Sequence, residues 1–259
     1  MGHGKGAEKL SKVSKLDELS RSWAIAVKDM HIYYLKPSTL MFGVLFPFTL
    51  FLSFTVGRDI PIDRLVPMLV AQTVFWASSS VGPTSIPLER RLRTFERYLS
   101  APLSLISLLF GKTLAGMIFG LSVSVLSLLI GIIALGATVT GFATLLIGLA
   151  LSSLVFSAMG IMFASIPTEN PGDVMMPLTS VRIPLLFISG IFIPISQLPP
   201  VGQVAAFMSP LTHTLDLIRA GLGGQSNFGI AVNIIILLLY IAAFMWLGTR
   251  FNLKIMKSE

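Results

Sequence analysis

The stretch IIILLLYIAAFMWLG, from Ile234 to Gly248, is an unbroken apolar run without a charged residue. A strand of a membrane barrel would alternate polar and apolar side chains, and this run does not. A continuous apolar segment in lipid must satisfy its backbone hydrogen bonds within itself, as an α-helix does. The run therefore predicts a helix that spans a membrane, and the chain contains further segments of the same kind.

The whole chain has the composition of a membrane protein. Of its 259 residues, 54% are hydrophobic and 12% are charged, whereas soluble domains carry about 25% charged residues. There is no cysteine, which excludes disulfides and thiolate metal sites. The net charge of +7 fits the basic loops of a membrane protein, and the signatures of nucleic-acid binding are absent.

Six apolar segments are each of about the length needed to cross the hydrocarbon core, which takes about 20 residues. We therefore predict an all-α integral membrane protein with six transmembrane helices in residues 39–259. Residues 1–38 form a polar leader with no apolar core of a cleaved signal peptide. The predicted spans run from Thr39 to Gly57, Leu65 to Ile86, Ile106 to Leu135, Phe142 to Ile166, Val174 to Ile195 and Phe228 to Gly248.

The lysines and arginines predict how the chain is oriented. Most of them lie in the N-terminal segment through Lys36, between spans two and three, or after Gly248, whereas Arg58, Arg64 and Arg219 lie on the other side. An even number of spans places both termini on one side, and the positive-inside rule makes that side cytoplasmic. We therefore predict a multi-pass protein of the cell membrane with both termini in the cytoplasm.

An amphipathic helix is predicted just before span one, within residues 1–38. Trp23 and Tyr34 suit the level of the lipid headgroups, and Pro37 ends the helix before the chain enters the bilayer. A simple membrane anchor explains this pattern. Its apolar face contains Leu16, Leu19, Trp23, Val27, Met30 and Tyr34.

A dense group of charges interrupts the apolar sequence between spans two and three. In PLERRLRTFERYLSAPLS, from Pro87 to Ser104, Leu88, Leu92 and Phe95 recur at helical spacing and the charges lie on other faces. We predict one short helix at the membrane surface, residues 87–102, called the charged segment below. It could anchor to anionic lipid, or it could dock a cytosolic partner.

The segment at residues 196–227 is too polar to span and too apolar for a simple aqueous loop. It contains two short helical patterns separated by Ser209 and Pro210. We predict a re-entrant helical hairpin on the extracytoplasmic side, called the hairpin below. Irregular backbone at that depth must be buried in protein or line a wet cavity.

Arg182 is the most unusual residue of the predicted spans. It lies about eight residues into span five, roughly 12 Å along a helix, where a charge is costly unless it meets a partner or a cavity. It either faces a translocation pathway or extends toward the cytoplasm. Both alternatives remain open from the sequence.

No catalytic or metal-binding set is present. The sequence FGKT at residues 110–113 lacks the earlier glycine of a phosphate-binding loop, since Ile106 stands there, and Lys112 is expected to extend to the cytoplasmic interface. His213 and Asp216 are three residues apart on one short helix, and no serine has the context of a nucleophile. No histidine and carboxylate run has metal-ligand spacing.

Two segments together resemble the permeases of type-2 ABC exporters. The charged segment matches that family's loop between spans two and three, except that Arg91 and Arg93 replace an acidic residue and a glycine. The region around the hairpin matches the family's S-G-x-x-x-P, L-P and P-L-T-x-x-x-D-x-x-R run. The matching residues are Glu89, Arg90, Thr94, Glu96, Leu99, Pro102, Ser189, Gly190, Pro194, Leu198, Pro199, Pro210, Leu211, Thr212, Asp216 and Arg219.

The resemblance implies a permease subunit that is not itself an enzyme. A separate ATPase subunit would carry the ATP and magnesium and dock on the charged segment, this chain would hold no cofactor, and a second permease, identical or closely homologous, would complete the pair. The substrate is expected to be a hydrophobic or amphipathic molecule, drug-like or lipid, moved outward through the bilayer. A stand-alone secondary transporter or channel is the alternative, although the shortage of buried carboxylates speaks against it.

The same resemblance assigns expected roles to individual residues. The ATPase would contact Glu89, Arg90, Arg91, Arg93, Thr94, Glu96 and Arg97. Ser189 would line the translocation pathway, and Arg182 is expected there because of its depth in span five rather than from the resemblance. The extracytoplasmic gate would contain Pro210, Thr212, His213, Asp216 and Arg219.

Overall fold

The computed structural model describes residues 15–100 and 104–256, and within these ranges every regular element is a helix. Residues 1–14 of the predicted leader, and Pro102 of the charged segment, lie outside the described residues. The helices are α1 Lys15–Tyr33, α2 Pro37–Thr55, α3 Ile62–Ser78, α4 Val81–Arg91, α5 Thr94–Ser100, α6 Leu105–Leu135, α7 Phe142–Phe163, α8 Pro171–Ile188, α9 Pro200–Phe207, α10 Pro210–Gly221 and α11 Ile230–Met256.

Five stretches of helix in the described part of the chain are long and apolar enough to cross a membrane. They are α2, α3 with α4, α6, α7 and most of α11, and they coincide with predicted spans one, two, three, four and six. Predicted span five is occupied by α8, which is not among the five. It carries Asp173 and Arg182 and contains Pro177 and Pro184, which lower its apolar character. The count of six spans stays a prediction.

The long helices run between two ends of the bundle. At the first, called the charged end, the Ser22 hydroxyl of α1 donates to the Ser107 carbonyl at the start of α6, at 2.8 Å. At the second, called the hairpin end, the Gly141 amide before α7 donates to the Gly221 carbonyl at the end of α10, at 3.0 Å. The 30 residues from Ile62 to Arg91, which form α3 and α4, join the hairpin end to the charged end.

The centre of the bundle is a close approach of three helices around the junction of α3 and α4. The Ser80 hydroxyl bonds back to the Trp76 carbonyl at 2.6 Å, which stabilises the break in the helix. A Cβ atom on Gly120 would lie 1.7 Å from Ser78 Oγ, and one on Gly160 would lie 2.6 Å from the Ser79 carbonyl oxygen. Glycine is required at both positions, because a side chain would force α6 and α7 away from this junction.

The charged segment is not one helix, which corrects the prediction for residues 87–102. It consists of the end of α4 and the short helix α5, joined by a turn in which Arg93 has φ 55. The Arg93 amide donates to the Arg90 carbonyl at 2.9 Å and closes the turn. A left-handed backbone costs a non-glycine residue about 1–2 kcal/mol, which explains why a glycine at this position is typical of the family that the sequence resembles.

Helix α1 is present as predicted, but it packs against the bundle rather than lying on lipid alone. Ala26 and Asp29 are buried against α6, whereas Leu19 and Trp23 are 56% and 53% exposed. A Cβ atom on Gly111 would lie 2.5 Å from the Ser22 carbonyl oxygen, so the contact of α1 with α6 depends on glycine. The exposed apolar edge remains available to a membrane surface.

Candidate functional site

Four charged side chains from three helices form a closed ring at the charged end. Lys28 and Asp29 come from α1, Glu89 from α4 and Lys112 from α6. Lys28 Nζ lies 2.6 Å from Asp29 Oδ1, and Lys112 Nζ lies 3.1 Å from Asp29 Oδ2 and 2.6 Å from Glu89 Oε2. A contact between Lys28 Nζ and Glu89 Oε1 closes the ring. This ionic ring balances two positive charges with two negative charges.

Three of the four side chains of the ionic ring are removed from solvent, and that of Lys28 is 26% exposed. The side chains of Asp29 and Lys112 are 0% exposed and that of Glu89 is 1% exposed. The expectation that Lys112 extends to the interface is therefore wrong, because two carboxylates hold it inside. Burial alone would lower the pKa of Lys28, but Asp29 and Glu89 outweigh burial and raise that pKa above its ordinary value.

Arg90 fastens the charged segment to a second pair of helices. Its guanidinium donates to the Ile166 carbonyl, to the Ala164 carbonyl at 3.4 Å, and to Asn252 Oδ1 at 3.3 Å. The Asn252 amide in turn donates to Ser165 Oγ at 2.7 Å. The end of α4 is therefore bonded to the end of α7 and to α11, in addition to the bonds of Glu89 with α1 and α6.

The remaining residues of the charged segment are arranged differently. Arg91, Arg93 and Arg97 are exposed. The Thr94 hydroxyl is half-buried and donates to the Glu89 carbonyl at 3.2 Å. The Glu96 side chain lies outside the described residues. The predicted docking residues thus divide into two anchors, the buried Glu89 and the half-buried Arg90, and an exposed face of three arginines.

Arg182 lies inside the protein and does not extend toward either end. Its side chain is 0% exposed, its guanidinium carbon is 4.8 Å from the centre of the Trp76 ring, and its Nη2 is 3.5 Å from Ser80 Oγ. Its Nε and Nη1 have no hydrogen-bond partner among the described residues. A cation over an indole face is stabilised, but the unsatisfied N–H groups make this position costly.

The hairpin has two helices, α9 and α10, which meet at Ser209 and Pro210 as the sequence predicts. Asp216 of α10 is a structural anchor, because it accepts hydrogen bonds from residues that precede or begin α11. The Asn233 side-chain amide donates to Asp216 Oδ2 at 2.7 Å. The other donors to Asp216 are the Ser226 hydroxyl and the backbone amides of Asn227 and Phe228.

His213 is fully buried beside the same group. Its Nδ1 is 2.7 Å from Asn233 Oδ1, and its Nε2 is 2.8 Å from the Phe207 carbonyl oxygen of α9. His213 therefore joins both helices of the hairpin to α11. Pro210 is also buried, at the first turn of α10.

The hairpin end contains a cavity of about 430 Å³. Ser189, Thr212, Asp216 and Arg219 line it, so the structure brings four of the predicted pathway and gate residues together. Arg182 does not line it. The Ser189 hydroxyl donates to the Leu186 carbonyl at 3.1 Å at the end of α8.

Sequence reasoning missed several residues of these clusters. Lys28 and Asp29 of the ionic ring were not singled out, although an unpaired Lys112 within an apolar span is a signal that a buried acid exists elsewhere. Asn233 and Asn252, which organise the bonds of Asp216 and Arg90, each interrupt or end an apolar run. A polar side chain within such a run indicates a helix-to-helix hydrogen bond.

Comparison with known proteins identifies a family model that covers most of the chain. The model for the ABC-2 type transporter matches residues 19–223. This range includes α2 to α10, the ionic ring, the charged segment and the hairpin as far as residue 223.

Similar proteins are found in bacteria. The chain is 32% identical over 123 residues to Nodulation protein J from Rhizobium leguminosarum bv. trifolii, covering 46% of this chain and 47% of that protein. It is 23% identical over 180 residues to the inner membrane transport permease YadH from Escherichia coli (strain K12), covering 70% of each protein. The matched part thus spans less than half the length of Nodulation protein J.

Proposed function

The chain belongs to the ABC-2 type transporter family, and from this premise we propose that it is the permease subunit of an exporter that moves a hydrophobic or amphipathic molecule out of the cell. Members of this family are integral membrane components whose ATPase is a separate subunit. The direction, the substrate class and a pairing with a second permease belong to the proposal. So do the six spans, the location in the cell membrane and the cytoplasmic position of both termini.

The observation that carries the proposal is the division of the charged segment into anchors and an exposed face. Arg91, Arg93 and Arg97 offer positive charge to solvent, while Glu89 and Arg90 fix the base of the segment to other helices. A lipid anchor would not need buried ionic attachments at its base. A segment that a partner displaces does need such attachments, because without them the segment would move and the rest of the bundle would not.

The attachments define how a movement would be transmitted. A displacement of the charged segment is carried by the ionic ring to α1 and α6, and by Arg90 to α7 and α11. ATP binding by the separate subunits would draw two such segments together and shift the permease between inward and outward access. ATP can drive this change only to the extent that it binds the inward-facing and outward-facing states of the complex with different affinities.

Residues are assigned to the translocation pathway and to the gate by their position in the structure. Arg182 is buried near the middle of α8, and Ser189 ends the same helix at the hairpin cavity. We assign both to the translocation pathway. Thr212 and Arg219 line the cavity as part of the extracytoplasmic gate, and Pro210, His213 and Asp216 hold α10 in place there.

Co-purification tests the proposal. The detergent-solubilised chain is mixed with its candidate ATPase, and wild type is compared with the triple variant Arg91→Glu, Arg93→Glu, Arg97→Glu. The wild type should retain the ATPase and the triple variant should lose it. Arg58→Glu, an exposed reversal at the hairpin end, is the control and should bind like the wild type.

Other outcomes change the conclusion. If the triple variant binds as well as wild type, the exposed arginines are not the docking face, and a lipid anchor becomes the better account of the segment. If wild type retains no ATPase, the permease assignment fails and a stand-alone transporter or channel replaces it. A thermal unfolding scan of each variant shows whether it is folded.

A further inference from the structure

The hairpin cavity has the size and walls of a site for a small group. Its volume of about 430 Å³ lies in the range of small-molecule pockets. It is built from three parts of the chain, namely the start of α3, the turn after α8 and the hairpin with the residues that follow it. Met68, Leu215 and Phe228 provide apolar wall, and Ser189 and Gln203 provide polar wall.

The charges of the lining do not cancel. Arg64 of α3 and Arg219 of α10 reach the cavity from different helices, and Asp216 is the acidic residue among the described lining residues. Both oxygens of Asp216 already accept hydrogen bonds, Oδ1 from the Asn227 amide at 2.8 Å and Oδ2 from the Asn233 amide at 2.7 Å. These neutral donors occupy the carboxylate but leave its negative charge in place, and the two guanidinium groups therefore give the lining an excess of one positive charge.

Two donors at the cavity lack acceptors. Arg219 Nε and Thr212 Oγ1 are buried and have no hydrogen-bond partner among the described residues. The stem of Arg219 is held in place, because a Cβ atom on Gly224 would lie 2.4 Å from its Cγ. Buried donors in proteins are almost always satisfied, and a positioned guanidinium matches the oxygens of a phosphate or carboxylate.

We propose that this cavity binds the oxyanion headgroup of an amphipathic molecule, a phosphate being the best match, between Arg64 and Arg219. Thr212 donates a further hydrogen bond, and the apolar wall of Met68, Leu215 and Phe228 receives the adjoining hydrocarbon. The assignment of this ligand as the exported substrate rests on the proposed function. The oxyanion site itself does not depend on it.

Binding is tested on the full chain, purified in a neutral maltoside detergent and analysed by native mass spectrometry. The probes are dodecyl phosphate, dodecyltrimethylammonium at the same concentration, and inorganic phosphate. We expect wild type to retain dodecyl phosphate and not the cationic amphiphile. Arg219→Gln and Arg64→Gln should each weaken the apparent Kd for dodecyl phosphate by about tenfold or more, since each removes a charge-assisted contact.

Arg58→Gln is the matched control, because Arg58 is an exposed arginine at the same end that does not line the cavity. It should bind dodecyl phosphate like the wild type. Unfolding temperatures of all variants confirm that lost binding is not lost folding.

The probes separate the possible results. Retention of dodecyl phosphate together with arginine-dependent loss supports a lipid-borne oxyanion. Binding of inorganic phosphate alone, with the same arginine dependence, keeps the oxyanion site and overturns the amphiphile. Equal retention of dodecyl phosphate by wild type and both variants, or preference for the cation, overturns the proposal. No ATPase or nucleotide is present, so failure here leaves the docking result unaffected.

Discussion

Neutralising Glu89 should destabilise the protein strongly, and a second substitution should reverse most of the loss. Glu89→Gln keeps the size of the side chain but leaves Lys28 and Lys112 facing only Asp29. One positive charge of the ring then has no counter-charge at a place where Lys112 is 0% exposed. The effect is one of charge balance rather than packing.

The expected magnitude follows from the burial of the ring. Removing one partner of a buried ion pair costs about 3–5 kcal/mol, because the other charge remains buried without compensation. For a chain of this size that corresponds to a fall in Tm of roughly 6–20 °C. Adding Lys112→Met to Glu89→Gln restores the balance between Lys28 and Asp29. The double variant should therefore recover most of the lost stability.

Thermal unfolding of the detergent-solubilised protein, followed by intrinsic fluorescence, is measured for wild type, Glu89→Gln, Lys112→Met and the double variant. Glu169→Gln, the same change at an exposed carboxylate, is the control and should shift stability by no more than about 0.5 kcal/mol. The reasoning is refuted if Glu89→Gln lowers Tm by only a degree or two. It is equally refuted if the double variant is less stable than Glu89→Gln, since the two charges would then not be coupled.

Three further outcomes are expected. Arg93→Gly should raise the free energy of unfolding by about 1 kcal/mol, since φ 55 is unstrained in glycine. The same variant should weaken ATPase co-purification. A lower Tm would contradict the conclusion that the backbone at Arg93 is strained. Arg182→Met should raise the free energy of unfolding by about 1–3 kcal/mol, because it removes a buried unsatisfied cation. It should also lower transport in proteoliposomes. A loss of stability would show that the cation has a partner. The raised pKa of Lys28 means that its contribution to stability is complete below the ordinary lysine pKa and is lost only as pH rises through the raised value. The Tm difference between wild type and Lys28→Met should therefore be constant from about pH 6 to about pH 9, and a decline within that range would refute the pairing.

The membrane-spanning architecture could be predicted from the sequence because continuous apolar runs permit few alternatives in lipid. Five predicted spans coincide with helices that meet the length and composition of a span. The two helices of the hairpin were also predictable, since Ser209 and Pro210 mark a break that local chemistry dictates.

The internal structure of the charged segment could not be predicted in the same way. Periodic Leu88, Leu92 and Phe95 indicate helix, but the turn at Arg93 depends on where Glu89 and Arg90 are held by distant helices. Hydrophobic spacing reports local conformation and carries no information on which charges find partners. For the same reason Lys112 was expected at the interface, although Asp29 and Glu89 hold it inside.

The spacing of two glycines in α6 did not identify the helix against which they pack. Gly116 and Gly120 have the spacing of a helix-pairing motif, but the sequence does not say whether the partner helix belongs to the same chain. In the structure a Cβ atom on Gly116 would lie 2.2 Å from Ser157 Oγ of α7, so this pair packs within the chain. Contacts between distant segments decide such questions, and spacing alone does not.

The central claim is that the exposed face of the charged segment docks the ATPase, and a single spin label tests it most directly. The sequence has no cysteine, so Leu92→Cys provides one labelling site on this face, at a residue that is 65% exposed, without altering a charge. Val56→Cys, at a residue that is 73% exposed near the hairpin end, is the control. On addition of the candidate ATPase, the account predicts that the label at position 92 becomes immobilised and the label at position 56 does not. Unchanged mobility at position 92 in a complex that still forms would contradict it.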